Sequence, residues 1–182
     1  MSNGTKVVKR DGSIQQLDLE KMHVMVEEAC KGLAGVSASQ VEIQSGIQFY
    51  DGISTAEIQE ILIRSASDLI DLDHPNYQYV AARLLLFALR KNLFGRIHEM
   101  PSVKDHVVDC VDKRIYDPEI LNSYSDEEFN KLQGFIDHDR DYLFTYAGLR
   151  QVVDKYLVQD RSSDKLYETP QFMYLLIAAT IF

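Results

Sequence analysis

The chain has 182 residues, of which 46% are apolar and 26% charged, and its formal net charge is −9 at pH 7. The acidic balance argues against a general nucleic-acid-binding surface. No apolar run is long enough to span a bilayer, and the N-terminus lacks the apolar segment of a signal peptide. Cys30 and Cys110 are isolated, so we expect two buried free thiols in a cytosolic protein rather than disulfides or zinc ligands.

The first predicted element is a β-hairpin. Alternating apolar and polar segments at Lys6–Arg10 and Ile14–Leu17 flank Asp11-Gly12. This is a strong hairpin signal, because glycine adopts the positive φ of the turn without steric cost. Asp18 then occupies the N-cap position of a helix. The apolar repeat of that helix is Met22, Val26, Ala29 and Leu33.

Three cations, Lys9, Arg10 and Lys21, lie where the hairpin meets this helix. The N-terminus of a helix attracts anions, so the arrangement suits a phosphate group. The alternative is a solvated, charged strand edge. Residues 1–21 hold four basic and three acidic side chains, a net +1, which leaves −10 on the remainder. This contrast favours the phosphate interpretation.

Two more helices and a short strand are predicted next. Ser37 with Gln40 and Ser54 with Glu57 are capping-box pairs that open the second and third helices. Between them, a turn at Asp51-Gly52 leads to a short strand at Ile53. The predicted inner face of the second helix is Ile43, Ile47 and Tyr50. That of the third is Ile58, Ile61, Leu62, Ser65 and Leu69, with Thr55 and Gln59 at its exposed N-terminal end.

A long fourth helix is predicted from Asn76 to Phe94, preceded by Pro75 and ended by Gly95. Its apolar stripe is Val80, Leu84 and Phe87, and Lys91 lies one turn further on the same face. Lys91 is either a lysine that extends out of the core with its stem buried or a cation directed at the same anion as Lys9 and Arg10.

The second half of the chain is also predicted to be mainly helical. Helices start at Ser102 with Asp105, at Ser125 with Glu128 and near Thr145. Their apolar positions are Val103, Val107 and Val111; Phe129, Leu132 and Ile136; and Leu149, Val152 and Tyr156. Segments Leu157–Gln159 and Leu166–Glu168 predict a hairpin, and Thr169-Pro170 opens an apolar helix that reaches Phe182 without a stop signal. We therefore expect a piece of a longer protein.

Two polar clusters do not support a metal site. Residues 137–141 combine three carboxylates with an imidazole, but adjacent residues do not share a helix face and no second cluster completes a coordination shell. An ion-paired loop or helix junction is the preferred interpretation. His98 and His106 are expected to be ordinary surface or junction histidines.

Several motifs together resemble one family. Val-Lys-Arg-Asp-Gly-Ser at 8–13, Leu-Asp-Leu-Glu-Lys at 17–21 and Tyr-Gln-Tyr-Val-Ala-Ala-Arg-Leu at 77–84 resemble the ATP-cone domain of class Ia ribonucleoside-diphosphate reductase large subunits. The likeness continues at 47–53, 116–121, 136–141 and 155–159. The resemblance covers essentially the whole chain, and the combined motif set is highly specific.

The resemblance implies a mainly α fold. Residues 1–95 would form a four-helix ATP-cone with a small hairpin or three-stranded cap, and residues 96–182 would be the helical entry to the catalytic α/β barrel. ATP would activate and dATP inhibit the parent enzyme from this cone, with Mg²⁺ bound alongside. Phosphates would contact Lys9, Arg10 and Lys91. The base and ribose would be lined by Gln15, Gln16, Leu17, Asp18, Leu19, Glu20, Lys21, Thr55 and Gln59. The apolar floor would be Val7, Leu17, Met22, Ile58 and Phe87.

The resemblance also implies partners. The parent would pair as a large-subunit homodimer with a radical-generating small subunit, supplying deoxyribonucleotides for DNA replication in the cytosol. The radical-bearing cysteines, substrate residues and specificity site of the family lie beyond Phe182, so this chain alone should reduce no substrate.

The chain departs from the pattern of the family at three positions. Gln15 replaces a common Glu, and Gln59 and Ala88 replace common histidines. One alternative is therefore a degenerate cone that serves only in subunit docking. A second is a transcriptional regulator, but those regulators pair the cone with a four-ligand zinc ribbon that two separated cysteines cannot supply.

Overall fold

The computed structural model describes residues 5–9, 11–46 and 48–181, and these fall into two compact units. The first unit comprises the described residues of Met1–Ala88 together with Phe144–Arg150. The second comprises Leu89–Leu143 and the described residues of Gln151–Phe182. Among the described residues, no helix is both long and apolar enough to cross a membrane.

A small sheet opens the first unit. Strands β1 (Lys6–Val8) and β2 (Ile14–Gln16) form the predicted antiparallel hairpin, and β3 (Ile53–Ser54) pairs parallel with β1, giving the order β2-β1-β3. The register places Val7 opposite Gln15 on one side and Ile53 on the other. The Lys6 carbonyl accepts a hydrogen bond from the Gly52 N–H at 2.8 Å, and the Lys6 N–H donates one to Asp51 Oδ1 at 2.7 Å. The turn before β3 is thereby fixed to β1.

Helices α1 (Leu19–Cys30) and α3 (Thr55–Asp68) begin at the predicted caps. The Asp18 carboxylate accepts from the Lys21 N–H at 3.0 Å. Ser54 and Glu57 make both halves of a capping box, in which the Ser54 hydroxyl accepts from the Glu57 N–H and the Glu57 carboxylate accepts from the Ser54 N–H. Because each cap satisfies an amide that would otherwise have no partner, both helices start at a defined residue.

The predicted capping box of α2 (Ala38–Gly46) forms only in half. The Gln40 N–H lies 3.4 Å from Ser37 Oγ, but the Gln40 side chain accepts a hydrogen bond from the Tyr77 hydroxyl at 2.5 Å. That hydroxyl accepts in turn from the Ser37 N–H at 3.0 Å. The Tyr77 phenol is buried and needs a polar partner. The Gln40 side chain therefore bonds to Tyr77, which is distant in the sequence, instead of to the Ser37 N–H of its own capping box.

The predicted inner faces of α2 and α3 need correction. In α2 the buried residues are Val41 and Ser45, whereas Ile43 is 70% exposed, Tyr50 lies outside the helix, and Ile47 lies outside the described residues. In α3 the buried set is Ile58, Gln59, Leu62, Ile63, Ser65 and Ala66, and Ile61 and Leu69 are only partly buried. Apolar spacing identified these helices but missed the rotation that packing gives each one.

Helix α4 (Tyr77–Phe94) runs from the first unit into the second and ends at Gly95, whose φ is +72°. Val80, Leu84 and Phe87 are buried as predicted, and so are nearly all their neighbours between residues 80 and 90. The exception is Arg83, whose guanidinium donates to the carbonyls of Ala29 and Lys31 at 3.1 and 2.7 Å. A basic side chain at the last carbonyls of α1 stabilises that helix end.

The second unit is helical, with one short hairpin. Its segments are the end of α4, α5 (Val103–Asp112), α6 (Glu119–Ser123), α7 (Asp126–Gln133), a 3₁₀ helix (His138–Leu143), β4 (Gln159–Asp160), β5 (Lys165–Leu166) and α9 (Pro170–Ile181). Helix α8 (Tyr146–Lys155) begins in the first unit and ends in the second. The core of the second unit is built from Val103, Val107, Phe129, Phe172 and Leu176. The starts of α5, α7 and α9 and the hairpin were predicted, whereas α6 and the 3₁₀ helix were not.

Candidate functional site

The hairpin turn carries the first of the predicted phosphate ligands. Lys9 directly follows β1, and its N–H donates to the Ser13 carbonyl at 2.8 Å while its carbonyl accepts from the Gly12 N–H at 2.9 Å. Gly12 has a φ of +81°, the left-handed conformation for which glycine was predicted here. Arg10 lies outside the described residues. The backbone of Lys9 is therefore held in a short, closed turn.

Asp11 stabilises the same turn from the side chain. Its carboxylate accepts from the Ser13 N–H at 2.9 Å and from the Ser13 hydroxyl at 2.6 Å. These two hydrogen bonds hold the pKa of the Asp11 carboxyl below its usual value. The Asp11 carboxylate is thus hydrogen-bonded within the turn beside Lys9.

The segment from Gln15 to Lys21 joins β2 to the N-terminus of α1. Gln15 and Gln16 are exposed, and Leu17 is partly buried with its N–H donating to the Thr5 carbonyl at 2.8 Å. Leu19 and Glu20 are exposed in the first turn of the helix. The Lys21 ammonium lies 3.9 Å from the Asp18 carboxylate, both in solvent. This surface ion pair is weak, so an incoming anion can compete for Lys21.

The remaining predicted residues are on α3 and α4. Thr55 is the first residue of α3 and is partly buried, and Ile58 and Phe87 are 6% and 1% exposed. Gln59 was predicted on an exposed end of α3 but is 7% exposed, because the packed face of α3 includes Gln59 beside Ile58. Lys91 is exposed in the last turn of α4, four residues after the buried Phe87.

An open groove of about 600 Å³ in the first unit brings four predicted residues together, namely Leu17, Leu19, Glu20 and Met22. Its other lining residues are Thr5, His23, Glu42, Ile43, Gly46 and Phe49. Lys9, Thr55 and Ile58 are not among them. The structure thus gathers the β2–α1 segment around a groove that Lys9 does not line.

His23, at this groove, was not predicted as a site residue. Its Nδ1 lies 2.8 Å from Glu42 Oε1 on α2, and its Nε2 lies 3.3 Å from Glu27 Oε1 on α1. The hydrogen bond with Glu42 is the main cause that raises the pKa of His23 above its usual value. The Glu27 pairing is visible in the sequence as an i,i+4 spacing. The Glu42 contact is not, because it depends on how α1 and α2 pack.

The acidic cluster at 137–141 is ion-paired, as expected. The Arg140 Nε lies 3.4 Å from Asp137 Oδ2, and the buried Asp141 pairs with Arg90 of α4 at 3.3 Å. Within residues 5–9, 11–46 and 48–181, no three or more His, Cys, Asp or Glu side chains are grouped to hold a metal ion.

The prediction for His106 was wrong. It is 3% exposed and stacks on Phe172, with ring centroids 4.2 Å apart and planes inclined by 8°. The Tyr116 hydroxyl donates to Glu168 Oε2 at 2.5 Å and lies 3.2 Å from His106 Nε2. Since that hydroxyl uses its hydrogen for Glu168, His106 Nε2 must carry a proton and donate. Burial lowers the pKa of His106 to about 4, so the ring is neutral at physiological pH.

The two thiols are unreactive. Cys110 is 2% exposed, and Cys30 is only partly buried, contrary to the expectation of two buried cysteines. Burial raises the pKa of each thiol to about 11. Neither is a thiolate near neutral pH, and the thiolate is the nucleophilic form.

Comparison with known proteins agrees with this fold. The family model described as the ATP cone domain matches residues 5–92, and the model described as the all-alpha domain of ribonucleotide reductase matches residues 142–182. The sheet and the helices α1–α4 therefore form an ATP-cone domain.

Curated relatives match the chain over its full length. It is 49% identical to ribonucleoside-diphosphate reductase 1 subunit alpha of Escherichia coli and 48% identical to that of Salmonella typhimurium, over all 182 residues and 24% of each relative. The alpha subunit of Enterobacteria phage T4 is 41% identical over 177 residues, or 96% of this chain and 23% of the relative. The chain belongs to the ribonucleoside-diphosphate reductase alpha-subunit family and spans about a quarter of the length of these relatives.

Proposed function

We propose that the ATP-cone of this chain binds ATP or dATP as an allosteric effector and thereby regulates a complete reductase that converts ribonucleoside diphosphates to deoxyribonucleotides. The match of the ATP cone model to residues 5–92 carries this proposal. Its setting would be a cytosolic large-subunit homodimer working with a radical-generating small subunit, as in the family.

In this proposal the triphosphate, with Mg²⁺, is bound by cations from two places in the sequence. Lys9 and Arg10 approach from the hairpin turn, and Lys91 approaches from the end of α4. The N–H groups at the start of α1 add a partial positive charge nearby. Lys91 is exposed at the end of α4, so its ammonium group is accessible to a ligand, and this accessibility supports the role.

The nucleoside would lie against the segment from Gln15 to Lys21, with Thr55 and Gln59 at the sugar. Apolar support for the base would come from Val7, Leu17, Met22, Ile58 and Phe87, all of which are buried or partly buried. A rigid apolar floor with a few polar groups is the usual composition of a small-molecule site.

Replacing Lys91 tests the site. A hydrogen bond to a charged group contributes about 1.5–3 kcal/mol, and about 1.4 kcal/mol is tenfold in affinity, so Lys91→Ala should weaken ATP binding about 10- to 100-fold. Isothermal titration calorimetry measures this dissociation constant. The helical circular dichroism should persist, because Lys91 is exposed.

The matched control is Lys31→Ala, which removes another exposed lysine just after α1 and should leave the affinity unchanged. Equal affinities in wild type and Lys91→Ala would contradict this placement of the site. Failure of both ATP and dATP to bind the wild-type chain would favour the alternative, a cone that acts only in subunit docking.

Discrimination between ATP and dATP is expected to be weaker than in relatives. The two nucleotides differ by a 2′-hydroxyl, and a site separates them only through a polar group that needs that hydroxyl or loses a partner without it. Relatives carry groups that are charged or able to change charge at the positions of Gln15, Gln59 and Ala88. The preference of the site for dATP should therefore be smaller here, and dATP should inhibit the parent enzyme less strongly.

Gln59→His restores one of those groups and should raise the ratio of the ATP to the dATP dissociation constant, because an imidazole can be partly protonated near neutral pH. Gln44→His, on the exposed side of α2, is the control and should leave the ratio unchanged. A strong dATP preference in wild type that Gln59→His does not alter would contradict the hypothesis.

A further inference from the structure

The residue before Lys91 is a buried cation. Arg90 is 2% exposed, and its Nη2 donates to the His138 carbonyl at 2.5 Å and to Asp141 Oδ2 at 3.3 Å. Its Nη1 lies 3.4 Å from the Tyr142 hydroxyl, and the guanidinium carbon lies 5.4 Å from the centre of the Tyr142 ring. All these partners belong to the 3₁₀ helix, so one side chain anchors the end of α4 to that helix.

The carboxylate of this pair is itself fixed. Asp141 has no exposed side-chain surface, and its Oδ1 accepts from Gln171 Nε2 on α9 at 3.2 Å. Gln171 Oε1 in turn accepts from the Asp137 N–H at 3.4 Å. Arg90 is therefore held by a carboxylate whose second oxygen is bound to another helix, so the pair has little freedom to move.

A buried ion pair of this kind adds little net stability. The free energy of removing both charges from water is comparable to their attraction, and apolar replacement of such pairs is often neutral or stabilising. What the pair does supply is position, because losing one partner leaves the other charge buried and unpaired. Consecutive residues on a helix point about 100° apart, so fixing Arg90 also fixes the rotation of the last turn that presents Lys91 to solvent.

We propose that the Arg90–Asp141 pair positions Lys91 for the effector phosphates, so that Arg90 and Asp141 affect nucleotide affinity although they are not ligands. This inference rests on the proposed function of Lys91. A preorganised cation binds more tightly than one that must be ordered on binding. Without the pair, the last turn of α4 would lose its anchor, and Lys91 would have to be ordered at the expense of affinity.

A double-mutant cycle tests the inference on the 182-residue chain. Asp141→Asn keeps the shape of the side chain but removes its charge, and it should weaken ATP binding about three- to tenfold, within the range for residues that act through a neighbour. In a Lys91→Ala background the same change should have no further effect, because the group it positions is gone. A merely structural role would instead lower affinity by the same factor in both backgrounds.

Two further variants complete the test. The double variant Arg90→Met, Asp141→Leu removes both charges together. It should fold, because no charge is left buried alone, and it should weaken ATP binding about as much as Asp141→Asn does. Glu168→Gln alters another buried carboxylate of the second unit, one bonded to Tyr116, and should leave ATP affinity unchanged. Thermal melting of each variant establishes that it is folded.

The outcomes separate the two proposals. Unchanged affinity in the Arg90→Met, Asp141→Leu variant, or equal effects of Asp141→Asn with and without Lys91, would overturn the positioning role while leaving the nucleotide site intact. Unchanged affinity in Lys91→Ala alone would overturn the proposed site and this inference with it.

Discussion

His106 shows how burial fixes the protonation state of one residue. The ring is stacked on Phe172 and donates to Tyr116, so a proton added to Nδ1 would place a charge in an apolar environment. Its pKa is therefore about 4 in the folded protein instead of the ordinary 6.5. Between these two values the unfolded chain binds a proton that the folded chain does not, so stability falls as the pH falls.

We predict that, at pH 5, the shifted pKa of His106 lowers the free energy of unfolding by about 2 kcal/mol relative to a pH above 6.5. His106→Phe keeps an aromatic ring against Phe172 but cannot be protonated. The free energy of unfolding, measured by urea denaturation between pH 7 and pH 5, should therefore fall less steeply in the variant than in wild type.

The comparison isolates His106 from other groups with shifted pKa values. Burial also lowers the pKa of His138 to about 4 and raises the pKa values of Asp141 and Glu168, but these groups are present in both proteins. His98→Phe, at an exposed position, should keep the wild-type pH dependence. Parallel pH dependences for wild type and His106→Phe would refute the assignment.

At the scale of the element, the start of α3 depends on a single serine. Ser54 ends β3 and caps α3, and both reciprocal hydrogen bonds with Glu57 are present. The hydrogen bond from the Ser54 N–H, and after it the Ser54 side chain, lower the pKa of the Glu57 carboxyl, which keeps the carboxylate ionised and able to accept. Sheet and helix are therefore joined at one residue.

We predict that Ser54→Ala lowers the free energy of unfolding by about 1 kcal/mol, the usual loss for an N-cap serine. Chemical denaturation measures the change. Ser37→Ala should lower it less, because the Ser37–Gln40 contact is 3.4 Å long and Gln40 is engaged by Tyr77. Ser39→Ala, on the exposed surface of α2, is the control and should not destabilise. A loss in Ser54→Ala no larger than in Ser39→Ala would show that the cap is unimportant.

The elements that local chemistry specifies were predictable from the sequence. Asp-Gly fixes the hairpin turn, and Ser, Asp and Glu at cap spacing fix the starts of α1, α3, α5 and α7. The side of α2 that is buried was not predictable, because Ile43 and Val41 are both apolar and only packing selects Val41. The 3₁₀ helix was missed since the contact that anchors it, Arg90 with Asp141, joins residues 51 apart.

For the candidate site, charge and spacing in the sequence indicated the cations near the hairpin, and the ATP-cone resemblance implied the other candidate ligands; their binding role stays a prediction. The burial of Gln59 and the contact of His23 with Glu42 depend on how helices pack, which periodicity alone does not encode.

At the scale of the whole molecule, α4 is the element that both compact units share. Its first part contributes to the core of the ATP-cone unit, and its last part carries Arg90 and Lys91 in the second unit. If Lys91 binds effector phosphates as proposed, the same segment is bound to the ligand and to the 3₁₀ helix.

Strand β1 occupies the middle of its sheet, and this arrangement sets an order of events during synthesis. Its partner β2 is adjacent in the sequence, so the hairpin can form on the microsecond timescale once residue 16 has left the ribosome. Its other partner pairs Val7 with Ile53, 46 positions later, and must wait until α1, α2 and the following turn have been made. Until residue 54 emerges, one edge of β1 has no partner strand and can pair with another chain. Misassembly is therefore most favoured during this interval.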